Sequence, residues 1–146
     1  MQVETYGPEE TFRFGEMLGS KAVPGTVICL DGDLGVGKTV LVKGFAKGLG
    51  VTERVSSPTF TIVQEYEGRI PFFHFDVYRI EDSSEMDEIG FDDYLGREGA
   101  CLIEWADNIR ECIPENALWI RLEKELDKGT DYRKITVLEQ ITGEQL

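Results

Sequence analysis

Three glycines, a lysine and a threonine are spaced as Gly32-x-x-Gly35-x-Gly37-Lys38-Thr39, between the apolar run "TVICLD" and the amphipathic run "VLVKGFAKGLG". Glycines let successive backbone N–H groups curl round an anion without a Cβ in the way, and a helix starting at Lys38 would add its positive end. Lys38 would then bridge the β- and γ-phosphates of a nucleotide, and the Thr39 hydroxyl would ligate Mg²⁺. An ordinary glycine-rich turn before a helix is the plainer account. The order strand, loop, helix is the one that the phosphate-binding pattern Gly-x-x-x-x-Gly-Lys-Thr requires. No N/T-K-x-D element of the guanine-specific kind occurs, so ATP is favoured over GTP.

Such a site needs a carboxylate near the metal, commonly at the end of a buried strand. "CLIEW" offers Glu104 and "FFHFD" offers Asp76. In "FHFDVY" a period of two puts His74, Asp76 and Tyr78 on one strand face and Phe73, Phe75 and Val77 on the other. Asp76 also reads as a hydrogen-bonded residue at a strand end, and Glu104 as a neighbour of a helix cap. His74, the chain's one histidine, reads as an oriented structural group before a metal ligand, because it lacks Cys or carboxylate spacing. In "SSPTFT", Pro58 holds Ser57 extended. Thr59 then either senses a γ-phosphate as switch loops do or simply begins a strand. Arg79 and Arg133 are candidate charge stabilisers, or surface arginines. Seven carboxylates between residues 81 and 93 read first as a solvated helix face, and second as a dock for a basic partner.

The elements that must position these groups follow from periodicity. "PEETFRFGEMLGSKA" predicts a first helix, with Pro8 early, Glu9 and Glu10 in its first turn, and Phe12, Met17 and Leu18 on its apolar side. "TVICLD" predicts a buried strand. From Lys38, Leu41, Phe45 and Leu49 recur at i, i+4, i+8, and Gly50 supplies the stop. "TFTIVQEYEG" and "IPFFHFDVYRI" predict an antiparallel hairpin around Glu67-Gly68-Arg69. "EDSSEMDEIGFDDYLG" predicts an acidic helical stretch, "ACLIEW" a buried strand, "ADNIRECI" a short helix, and "LWIRLEKEL" with "DYRKITVLEQ" a closing strand pair. The sum is an α/β fold: a three-layer, P-loop NTPase-like domain with a mixed, partly antiparallel sheet, taken as a single domain over 1–146.

Composition narrows the partners. With 28 acidic against 15 basic residues the net charge is −13, a field that repels polyanions, so contact with RNA is expected to need a partner. Cys29, Cys101 and Cys112 lack metal-ligand spacing and two lie in apolar runs, which suits a reducing compartment. Neither a leader-like N-terminus nor a run of membrane-spanning length is read, so a cytoplasmic protein is expected.

Taken in order, "GDLGVGKT", "SSPTFTIVQEYEG", "HFDVYR", "DEIGFDDYL" and "CLIEWA" closely resemble the TsaE (YjeE) family, over residues from about 8 to about 137. That family comprises bacterial P-loop ATPases required for threonylcarbamoyladenosine modification of tRNA at position 37. The resemblance implies a nucleotide site in which Gly32, Asp33, Leu34, Gly35, Val36, Gly37, Lys38, Thr39 and Val40 hold the phosphates. It also implies that Thr39 and Glu104 coordinate Mg²⁺, that Asp76 is needed for hydrolysis, and that Trp105 is the aromatic beside the metal carboxylate. Thr11 and Arg133 match positions near the nucleotide. Val36 stands where Ala is usual and Val40 where Thr is frequent, and "EWADNI" lacks the common Pro after Trp. The implied partners are TsaD and TsaB, on whose complex the ATPase cycle acts, with tRNA reached only through that complex. A small-molecule kinase and a non-hydrolytic ATP/ADP-sensing module are the competing functions.

Overall fold

A computed structural model describes residues 1–32, 37–58 and 62–139. Its strands are β1 (Gln2–Thr5), β2 (Val27–Asp31), β3 (Val63–Tyr66), β4 (Phe72–Asp76), β5 (Ala100–Glu104), β6 (Leu118–Glu123) and β7 (Arg133–Glu139). Its α-helices are α1 (Pro8–Lys21), α2 (Lys38–Gly48), α3 (Glu85–Glu88) and α4 (Phe91–Gly96). All seven strands join one mixed sheet in the order β1-β7-β6-β2-β5-β4-β3. The middle four, β6, β2, β5 and β4, are parallel, whereas β3, β7 and β1 pair antiparallel at the two sides.

Alternation along the central strands divides the core into two layers. Ile28, Leu30, Phe72, Leu102 and Ile120 pack with Leu41, Phe45 and Leu49 of the α2 region on one face. Cys29, Phe73, Phe75, Cys101 and Ile103 pack with Met86, Phe91 and Ile109 on the other. Leu41, Phe45 and Leu49 are fully buried, each contributing about 1.5–3 kcal/mol by leaving water. The expected three-layer α/β architecture is what forms.

Several elements differ from their sequence reading. The buried face of α1 is Thr11, Phe14, Gly15 and Gly19, while Phe12, Met17 and Leu18 are only partly buried. The reason is the approach of α2: a Cβ on Gly15 would lie 2.2 Å from Leu41 O, and one on Gly19 2.1 Å from Phe45 O. From the other side, a Cβ on Gly44 would lie 2.1 Å from Phe12 O, and one on Gly48 2.2 Å from Glu16 O. Backbones that meet this closely select glycine, which carries no hydropathy signal. Arg69, in the hairpin turn, donates to Ala22 O at 2.9 Å and so satisfies a carbonyl at the end of α1.

The acidic stretch forms two short helices separated at Gly90, whose φ of 75° suits glycine. Six of its seven carboxylate residues are exposed, as a solvated face requires. "ADNIRECI" forms a 3-10 segment (Ala106–Cys112) kinked at Ile109 rather than a regular helix. Strand β1 was not anticipated; it pairs with β7 in register Thr5↔Arg133. No helix among the described residues is long and apolar enough to cross a membrane.

Candidate functional site

The carboxyl ends of parallel β2, β5 and β4 lie side by side, the place where open α/β sheets gather ligand-binding groups. At the end of β2, Asp31 Oδ1 accepts the Gly32 N–H at 2.9 Å and Oδ2 accepts from Arg121 at 3.1 Å, fixing where the glycine-rich segment departs. Asp33, Leu34, Gly35, Val36 and Thr59 lie outside the described residues. Gly37 has a left-handed φ of 100°, and α2 begins at Lys38. Thr39 is exposed and Val40 partly buried in that first turn.

Lys38 is 7% exposed, yet its Nζ has no hydrogen-bond partner among the described residues. It sits 4.1 Å from the centroid of the Trp105 ring. A cation–π contact of this kind returns about 0.5–2 kcal/mol, less than a buried ammonium loses in hydration. The arrangement is therefore suited to an anion.

Strand pairing sets the carboxylates beside it. In the parallel register of β4 and β5, Asp76 stands opposite Glu104. Glu104 is buried and its Oε2 lies 2.7 Å from His74 Nε2. Asp76 Oδ1 accepts the Tyr78 N–H at 3.0 Å. Burial pushes the Asp76 carboxyl above its ordinary range, and the nearby Glu104 charge adds to this, against the Tyr78 N–H, His74 and Lys38, which oppose it. Lys38, His74, Asp76 and Glu104 thus form one electrostatic group.

Trp105, directly after Glu104, adopts φ 63°, the one positive φ at a non-glycine position among the described residues. That backbone is uncommon for a bulky residue and clusters at functional sites. The Tyr78 ring meets its indole edge-on at 4.8 Å, and Asn108 Nδ2 donates to Val77 O and Tyr78 O at 3.0 and 3.3 Å. Tyr78 packs on Trp105, and the Asn108 backbone N–H donates to Trp105 O at 3.0 Å; Asn108 was not singled out from sequence because its side-chain partners are backbone carbonyls far away in the chain.

Arg133 lies at the other side of α2's start: its Nε is 3.9 Å from where a Cβ on Gly37 would be. It also donates to Thr130 O and Tyr132 O at 2.7 Å. Thr11 is buried and shares a 2.8 Å hydrogen bond with Thr5, which pairs with Arg133 in the β1–β7 register. Arg133 flanks Gly37, and Thr11 is linked to that corner through Thr5, to which the described residues give its hydroxyl. Arg79 is exposed beyond β4.

The model of the Threonylcarbamoyl adenosine biosynthesis protein TsaE family matches residues 5–135, taking in every element from the end of β1 into β7. The chain belongs to the TsaE family. It is similar to the tRNA threonylcarbamoyladenosine biosynthesis protein TsaE of Bacillus subtilis, with 48% identity over 90% of this chain and 81% of the relative. The same-named protein of Treponema pallidum is 36% identical over 94% of this chain and 99% of the relative. Among solved structures, Bacillus subtilis YdiB superposes with a TM-score of 0.82 and 40% identity, over 97% of this chain and 86% of that one. Membership of TsaE places the chain in tRNA threonylcarbamoyladenosine biosynthesis.

Proposed function

We propose that this TsaE chain is a Mg²⁺-dependent ATPase whose cycle activates or resets a TsaB/TsaD-type complex in the cytoplasm, one domain carrying the whole site. The observation that carries the reading is the buried Lys38 ammonium, without a hydrogen-bond partner among the described residues, beside Asp76 and Glu104. Lys38 binds the β- and γ-phosphate oxygens, with the amides of the glycine-rich segment around them. Thr39 and Glu104 are the residues that hold Mg²⁺; when bound, the ion neutralises charge on the phosphate oxygens.

Asp76 orients the attacking water. Its raised pKa brings the carboxylate nearer to the range in which a base accepts a proton at neutral pH. Arg133, beside Gly37, stabilises charge on the nucleotide, with Thr11 behind it. The field of a chain at −13 opposes direct tRNA binding, so tRNA is reached through the partners.

Calorimetric titration with MgADP tests the site. Wild type is expected to bind and Lys38→Ala to lose most of that affinity; equal heats from both proteins would contradict the assignment.

A further inference from the structure

His74 is 1% exposed in the middle of β4, and the proposed roles of Lys38, Asp76 and Glu104 leave it without one. Its ring stacks on Phe72 at 5.9 Å with an interplanar angle of 15°, so its orientation is set by packing. Nε2 meets Glu104 Oε2 at 2.7 Å, while Nδ1 is buried with no hydrogen-bond partner among the described residues. A carboxylate oxygen accepts, so Nε2 is the donor in this pair. The ring is placed where it satisfies Glu104 and not where it satisfies itself. The bond commits Oε2 and leaves Oε1 outside the pair.

We infer that His74 is the positioning residue of Glu104: it holds one carboxylate oxygen so that the other is presented to the metal. The inference rests on the reading of Glu104 as a Mg²⁺ ligand. Glu has three side-chain torsions, and a short bond to a ring locked by Phe72 removes most of that freedom before any ligand arrives. Partners that orient a metal ligand in this way are worth about 10–100-fold in metal affinity.

The test uses the full chain with Mn²⁺ as probe, followed by electron paramagnetic resonance in the presence of ADP. His74→Gln keeps an N–H near the position of Nε2, whereas the shorter His74→Asn does not reach Glu104; both lose the ring packing alike. Asn is expected to raise the Mn²⁺ half-saturation concentration about 10–100-fold, with Gln within about threefold of wild type. ADP affinity in EDTA should be the same in both variants. On a Glu104→Gln background the Asn substitution should add nothing further. Equal Mn²⁺ affinities for the Gln and Asn variants, or an undiminished Asn effect without the Glu104 carboxylate, would overturn the inference while leaving the metal site intact. ADP-dependent Mn²⁺ binding that survives Glu104→Gln unchanged would instead remove the metal reading, and the inference with it.

Discussion

The ammonium of Lys38 rests on the face of the Trp105 indole, 4.1 Å from the ring centroid, and donates no hydrogen bond to any described residue. The contact joins the first turn of α2 to the residue that follows Glu104. A charge kept in a buried place without a partner costs stability in the free protein and is recovered when an anion binds. Lys38→Met, which keeps the stem and removes the charge, is therefore expected to leave the nucleotide-free melting midpoint unchanged or raised. It should also abolish the rise in midpoint expected of wild type with MgADP. Thermal melting with and without MgADP checks both halves; a large loss of stability without nucleotide would show Lys38 to be a structural cation.

Asp76 gives a pH dependence of known sign. Burial raises its carboxyl above the ordinary value of 3.8, so between that value and the raised one the folded state holds more protons than the unfolded state. Stability then falls as pH rises through that window, and the loss is complete above it. Asp76→Asn removes this term while keeping an oxygen for the Tyr78 N–H. The variant is expected to gain stability relative to wild type as pH rises from 4 to 7, and to lose ATP hydrolysis. Denaturant melts at a series of pH values measure the first; a gap that shrinks with rising pH would contradict the burial account.

The meeting of α1 and α2 predicts a contrast between glycines. Gly19→Ala would set a Cβ 2.1 Å from Phe45 O, and Gly44→Ala one 2.1 Å from Phe12 O. Forcing the two helices apart should cost about 1–3 kcal/mol. Gly96, at the end of α4, has nothing within 4 Å of an added Cβ. Gly96→Ala should be neutral or slightly stabilising. Urea unfolding of the three variants decides this, and equal midpoints would sink the close-packing account.

These same residues show what was legible in the chain beforehand. Leu41, Phe45 and Leu49 declare α2 because their burial is periodic, whereas β4 declares itself as a short Phe-rich run buried on both faces. Gly15, Gly19, Gly44 and Gly48 define the tightest contact in the fold, yet glycine has no hydropathy pattern to read. Strand β1 has one buried residue in four, too weak an alternation to distinguish a short edge strand from a loop. Lys38, Asp76 and Glu104 were legible as residue types at strand and helix ends. The pairing of His74 with Glu104 depends on the β4–β5 register, and the left-handed turn at Trp105 depends on its packing, so neither is written in local sequence.

The cysteines give a chemical check on the core. Burial pushes the Cys29 and Cys101 thiols up to about 12, and Cys112, only partly buried, is raised as well. Thiolate is the reactive form. Alkylation of the native protein at pH 8 should modify Cys112 slowly and leave Cys29 and Cys101 untouched, with all three reacting in denaturant. Mass spectrometry of peptides reads this out; early labelling of Cys29 would contradict its place between β5 and β6.

ATP turnover by wild type and Lys38→Ala, each alone and with purified TsaB and TsaD counterparts, tests the central claim most directly. Wild type is expected to turn over slowly alone and faster with the partners, and Lys38→Ala to stay at background throughout. Indistinguishable rates for the two proteins in every condition would contradict the account.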